Sequence, residues 1–405
     1  MHDQNYAKPW YIFFLVLPYG ISFGFVTVTL PYLLTHNGFS VAMAADIVAL
    51  GVSANLWRFL WGPVADITLS LRRWFWIGII SCVATLLLLC MIPFEHNYIT
   101  ILTVIVFISQ VASTLILLPV GGFMAHRMED HRKGMASGWF QAGNLGGVGL
   151  GGGAGLWLSV HFTVFSAGAI LSFLIILSSL VVLWVKDVPS LSRQTVRLQM
   201  KEMGKTVLSM LRVPAILAVI ILIWFPIGSG GASNVWSAVA GDWKVSADTV
   251  ALVTGIISGL VSALGCITGG FIADKWGVWY AYLTTGAISA LVALVMAALP
   301  FTPMVYITGV LVYSFALGMI NAAFSAIILF AIGKKAAATK YSLLSSLGNI
   351  PVVYMTSLDG WVHDHGGSRY MLVVEALAGL LSVAIFLIVF KWMQNRKFLV
   401  KPADE

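Results

Sequence analysis

Apolar residues gather along this chain into long runs divided by short polar or charged segments. The runs fall at 10–34, 43–66, 74–93, 98–124, 134–159, 163–185, 213–240, 248–273, 278–299, 303–331, 338–361 and 368–392. Each reaches the length of about 20 residues at which one α-helix crosses a bilayer. The pattern therefore predicts an all-α membrane protein with twelve transmembrane helices, α1 to α12 in chain order. The longest polar stretch, 186–212, divides two six-helix bundles at 1–185 and 213–392, and a tail follows at 393–405. That stretch is basic, and Val196, Met200, Met203 and Val207 recur at helical spacing, which fits either a helix on the membrane face or a flexible linker.

Composition narrows the function classes. Of 405 residues, 59% are hydrophobic and 10% charged, against about 25% charged in soluble domains. A soluble enzyme, a disordered chain and a nucleic-acid binder are all poor fits. Of the 23 Lys and Arg, all but Arg58, Lys244 and Arg369 lie in the N-terminal segment, the alternate loops or the tail. Because Lys and Arg crowd cytoplasmic loops, both termini are expected inside, and the net charge of +7 reports topology rather than an acidic partner. Cys82, Cys90 and Cys266 sit in apolar runs and read as packing residues. The first run is too long for a signal-peptide core and lacks an Ala-x-Ala site, so it is read as a retained helix.

The halves repeat. Pro18-x-Gly20 returns as Pro226-x-Gly228, Gly62-x-x-x-Asp66 as Gly270-x-x-x-Asp274, and the basic pair Arg127 and Arg132 as Lys335 and Lys340, each 208 residues on. One register across several helices argues for a duplicated six-helix unit, the internal symmetry of secondary transporters that rock about a central site.

At the end of α2 stands Gly62-Pro-Val-Ala-Asp66, followed by Arg72-Arg73. A glycine admits a neighbouring helix closely, and the aspartate suits a basic group or a helix N-terminus. Here the chain resembles the major facilitator superfamily, whose loop between the second and third helices carries this motif; Gly270-Phe-Ile-Ala-Asp274-Lys275 is a closer copy. The resemblance implies an inner-side latch built from Gly62, Asp66, Arg72, Gly270, Asp274 and Lys275; charges that merely fix topology are the plainer reading. Arg58-Phe-Leu-Trp-Gly-Pro-Val-Ala-Asp66 is similar to the segment of the branch holding AmpG-type muropeptide permeases, acetyl-CoA transporters and siderophore importers, and so is 338–347 at the start of α11. Ser113-Thr-Leu-Ile-Leu-Leu-Pro119 in α4 lacks the acidic residues of the muropeptide permeases.

Polar and aromatic residues inside the spans are the natural substrate contacts, since a buried polar group in a bilayer needs a partner or water. They are Tyr19, Asn55, Gln110, Gln141, Asn144, Asn234, Trp236, Asn321, Asn349 and Tyr354. By the resemblance, α1, α4, α7 and α10 line a cavity with α2, α5, α8 and α11 beside them. Arg58 is the one basic residue placed inside a span, where arginine costs about 2.5–3.5 kcal/mol; it suits either a carboxylate or phosphate of the substrate or an interfacial anchor beside Trp57 and Trp61. Pro18, Pro119, Pro226 and Pro351 are candidate gating bends.

Ten glycines crowd α5 between Gly134 and Gly155. Gly147-x-Gly149-x-x-Gly152 matches a dinucleotide fingerprint but follows no strand. The spacing is also similar to the glycine-rich helix of superfamily exporters, with Gly152 in place of its proline; close helix packing explains it without a choice of direction. Proton coupling needs a titratable group, for which Asp46, Asp359 and Glu375 are the candidates; α12 is peripheral in the family, so a structural pair also suits Glu375. His363-x-His365 lacks further ligands for a metal. No phosphate loop or clustered catalytic set marks an enzyme, and no cofactor is implied.

The expected function is uptake, by alternating access across the bacterial inner membrane, of an amphiphilic or anionic metabolite such as a siderophore, a muropeptide or an acyl-CoA-like molecule. The protein would act as a monomer, with protons as a possible coupling ion and no nucleic-acid partner. A proton-coupled exporter, or a receptor or assembly factor built on a transporter fold, are the alternatives.

Overall fold

A computed structural model describes residues 6–129, 132–189, 201, 204–205, 207–210, 214–332 and 337–395. Most of the linker reading at 186–212, and the tail from 396 onward, lie outside the described residues.

Every described element is helical. The helices are apolar on all sides, as segments immersed in lipid and packed on one another require. Among the described residues, nine helical stretches are long and apolar enough to cross a membrane. The difference from the twelve runs of the sequence has three local causes. The run at 213–240 is helical as α7, Pro214–Ile223, and then breaks into turns before the short pieces Gly231–Asn234, Trp236–Val239 and Ala240–Trp243. The glycine-rich α5 is helical throughout, as Lys133–Val148, a π-helical turn Gly149–Ala154 and Gly155–His161, but its glycines leave it less apolar than the nine. The last two runs join as Ile350–Asn395, kinked at Gly367 where φ is 77°; we call 350–366, with Ala337–Leu347 before it, α11, and 368–395 α12.

Two compact units form. The first comprises Met1–Phe39, Leu50–Val196 and Ser246–Leu260. Here α1 (Tyr11–Gly24, continuing through the π-helical Phe25–Thr29 to His36) lies backbone to backbone on α5. A Cβ at Gly20 would collide with Asn144, and one at Gly147 or Gly151 with the carbonyls of Leu17 and Ile21. A π-turn leaves carbonyls without their usual partners; the Thr29 hydroxyl donates to those of Gly151 and Gly152 at 2.9 and 3.0 Å. The start of α8 (Ala247–Trp276), π-helical over Ala251–Ile257, meets the same turn of α5 through Gly153 and Gly255. The glycines thus serve packing, as their density in the sequence suggests.

The second unit comprises Ser40–Ala49, Arg197–Val245 and Val261–Glu405. The first turns of α2 (Val41–Thr68) group here because Gly360 of α11 admits them closely, against Ala42 and Ala45. Asp364 completes the join, its carboxylate oxygens accepting the backbone N–H groups of Val41 and Ala42 at 3.1 and 3.0 Å. The rest of α8 packs on α10 (Pro303–Ile332) through Gly265 and Gly269. The close approach expected at Gly270 falls one residue earlier, since a Cβ on Gly270 itself would enter open space.

Candidate functional site

In the first unit, helical spacing sets Asn55 and Arg58 one turn apart on α2, and Tyr19 of α1 bonds the first. The Tyr19 hydroxyl donates to Asn55 Oδ1 at 3.1 Å, both side chains being buried. Arg58 is half-buried and close enough to act on Tyr19 electrostatically. Three of the residues picked from sequence therefore form one polar group with a positive charge at its edge. Gln110 of α4 (Ile99–Arg127) sits apart, donating to Ser22 Oγ at 3.2 Å, with its Oε1 unpartnered. Asn144 is half-buried and Gln141 exposed, and neither joins these groups.

In the second unit the break in α7 organises the site. Gly228 and Gly230 take left-handed φ of 57° and 75°, which glycine adopts at least cost. The chain between them carries Ser229 inward, where it is 8% exposed. Its hydroxyl donates to Glu375 Oε1 at 3.3 Å and accepts the Gly231 N–H at 3.2 Å. Other freed backbone groups of α7 find side chains: Tyr282 of α9 (Val278–Ala298) donates to the Ile227 carbonyl at 3.1 Å, and Tyr354 to that of Trp224 at 2.9 Å. Asn234 donates to the Thr356 hydroxyl at 3.0 Å. Trp236 is 1% exposed and packs edge-on against Tyr306, Tyr313 and Trp243.

Beside the break lies a cavity of about 50 Å³ bounded by Gly228, Ser229, Tyr282, Asn321, Phe324 and Pro351, among others. That volume suits one or a few waters rather than a metabolite. Asn321 lines it, whereas Asn349, in the turn two residues before Pro351, spends its amide on the Ser345 and Ser346 carbonyls at the end of the preceding helical piece. Asn234 and Tyr354 brace the α7 break, and Trp236 packs in the core.

The two acids of α11 and α12 come together. Asp359 is fully buried, Glu375 is 6% exposed, and each acts on the other. Tyr313 of α10 donates to Glu375 Oε1 at 2.8 Å. Asp46, the third candidate, is exposed near the start of α2 and makes no such group. Ser229, Tyr313 and Thr356 escaped the sequence reading; the Gly-Ser-Gly-Gly cluster at 228–231 was the available signal for the first.

Of the latch residues, Gly62 and Asp66 are described only as part of the helical backbone of α2, and the side chain of Asp66 lies outside the described residues. Arg72 binds within its own unit: its guanidinium donates to the Val185 carbonyl, and its backbone N–H to Asp187 Oδ1 at 3.0 Å. Asp274 and Lys275 are exposed at the end of α8, with Lys275 5.9 Å from the Phe271 ring centre. Cys82 and Cys90 are buried and Cys266 half-buried, as packing residues are.

At the turn between α11 and α12, outside the apolar runs, His363 Nε2 is 2.9 Å from Asp242 Oδ2, which also accepts from Ser368 at 2.6 Å. Burial pulls the His363 imidazole down, but the hydrogen bonds and charges of Asp242 and Asp364 outweigh it and hold the group above its usual range. The bond from His363 holds the Asp242 carboxyl below the usual carboxylate range despite its burial.

Comparison with known proteins follows the same lines. The profile of the Major Facilitator Superfamily matches residues 12–356. The fold is similar to that of a mutant of the nucleoside transporter NupG, at 14% identity and a TM-score of 0.73, covering 94% of this chain and 99% of that one. It is also similar to the peptide transporter POT in complex with sulfate, at 12% identity and a TM-score of 0.74 over 95% and 94% of the two chains. A D-xylose-proton symporter aligns at 14% identity with a TM-score of 0.69, over 93% and 96%. No curated protein matches the chain.

Proposed function

Since the chain belongs to the Major Facilitator Superfamily, we propose that it is a secondary transporter that takes up an organic solute bearing a carboxylate or phosphate. The observation that carries this reading is the group Arg58, Tyr19 and Asn55. A guanidinium within an apolar helix costs free energy that an anionic ligand offsets, and its planar fork suits carboxylate and phosphate geometry. The likeness of the Arg58–Asp66 segment to importers of amphiphilic anions supports the direction and the class, of which siderophores, muropeptides and acyl-CoA-like molecules are members. Twelve spans with both termini inside a bacterial inner membrane complete the proposal, supported by the alternation of basic loops along the sequence.

The test is a thermal-shift and vesicle-uptake panel on purified protein with an acyl-CoA, a muropeptide, a carboxylate siderophore and a cationic dye. An anionic member should stabilise and enter, and Arg58→Gln should weaken its binding by about tenfold or more, the scale of one charge-assisted bond. Preference for the cationic dye, or unchanged anion affinity in Arg58→Gln, overturns the reading.

A further inference from the structure

The buried carboxyl pair asks for something that the chain does not supply. Both oxygens of Asp359 and Oε2 of Glu375 lack a hydrogen-bond partner among the described residues. The titratable groups acting on the pair are the two acids themselves and Tyr313 of α10; Glu375 in turn acts on Tyr354 of α11, and Tyr354 on Tyr282 of α9. No Lys, Arg or His is among the groups acting on either carboxyl. Two adjacent carboxylates without a cation, sealed from water, repel each other and leave three acceptors unsatisfied.

A proton meets both needs. Bound to one carboxyl, it halves the charge of the pair and supplies a donor directed at an unpartnered oxygen. A bare metal ion fits less well, because Tyr313 and Ser229 already point O–H groups at Glu375 Oε1, and no group of three or more metal-ligating side chains exists among the described residues.

We propose that Asp359 and Glu375 form a proton-binding site that couples transport to the proton gradient. The proposal rests on the transporter reading for its coupling role, but not for the binding itself. Ser229 provides the route and the lever. It lines the water-sized cavity and bonds Glu375, so a hydronium in the cavity can give a proton to Ser229 Oγ as that hydroxyl passes its own to Glu375 Oε1, leaving water in the cavity and the serine neutral. It is also the residue between the two left-handed glycines of the α7 break, so gain or loss of the proton at Glu375 acts directly on that break.

The experiment is infrared difference spectroscopy of the full chain in lipid vesicles across a pH step, with sodium or choline as the salt. The wild type should show the carbonyl stretch of a protonated, buried carboxyl, changing with pH and indifferent to sodium. Asp359→Asn and Glu375→Gln should each remove or shift it; thermal unfolding of both confirms that they fold. A band unchanged in both folded variants, or one moved by sodium and not by pH, overturns the site. In the same vesicles, solute accumulation that a collapsed proton gradient leaves intact overturns the coupling role. The failures are distinguishable: the band with no flux of any solute sinks the transporter reading and spares the site, whereas flux without the band does the reverse.

Discussion

Tyr313 donates its hydroxyl hydrogen to Glu375 Oε1 at 2.8 Å, tying α10 to α12 where Tyr313 is 1% and Glu375 6% exposed. The tie carries more than packing, because the other partner of that oxygen, Ser229, stands farther off at 3.3 Å.

Tyr313→Phe should therefore be costly for so small a change. Leaving a buried acceptor underserved costs about 1–3 kcal/mol, so the variant should melt several degrees below wild type in detergent. Tyr306→Phe removes a comparable bond, to the Trp236 carbonyl at 2.9 Å, away from the acids. It should lose similar stability yet leave the carboxyl infrared band as in wild type. A band altered equally by both would mean that general loosening, not the specific bond, is being read.

Gly151→Ala should destabilise the first unit by about 1–3 kcal/mol. Its new methyl would meet the Ile21 backbone, which cannot yield as a side-chain tip would. Gly138→Ala is the control on the same helix: its Cβ meets nothing within 4 Å, and helix propensity favours alanine by up to about 1 kcal/mol. Thermal unfolding of the pair should thus move in opposite directions.

The polar cluster at the α11–α12 turn predicts a pH window. His363 binds its proton more tightly folded than at its ordinary 6.5, so its contribution is complete below that value and is lost as pH rises through the higher folded value. Asp242 and Asp364 are held below their ordinary 3.8, so theirs is complete above it and is lost as pH falls further. Melting temperature should peak in the mildly acidic range between these limits. His363→Gln should flatten the alkaline limb and, because its bond helps to hold Asp242 and Asp364 low, weaken the acid limb as well; an unchanged alkaline limb would assign the decline to other groups.

The sequence showed its spans readily because the bilayer forces apolar composition over whole helices, so even π-turns and kinks leave the runs intact. For the same reason it concealed the break in α7: residues 224–235 carry no charge and leave the run at 213–240 undivided, and it is Pro226 with the glycines at 228, 230 and 231 that betrays that the backbone leaves the helix there. Arg58, Asn55 and Tyr19 were legible as isolated polar residues, and two of them by spacing on one helix. The pairing of Asp359 with Glu375 was not, since it depends on how the kink at Gly367 sets α12 against α11. Nor was the α2 cap by Asp364, a contact between residues more than 300 apart in the chain.

The α7 break itself can be tested at Gly230, whose φ of 75° is left-handed. An L-residue there costs roughly 1–2 kcal/mol, with asparagine the best tolerated and β-branched residues the worst. The nearest obstacles to a Cβ are the methyls of Leu317, ends of a flexible side chain, so backbone conformation rather than collision should set the order. Stability should accordingly fall from glycine through asparagine and alanine to valine. Because Ser229 is aimed by the same turn, the carboxyl infrared band should drift along the series with the melting temperature. An alanine variant as stable as wild type, with the band unmoved, would show that the break does not depend on left-handed geometry and that Ser229 is positioned by its other neighbours.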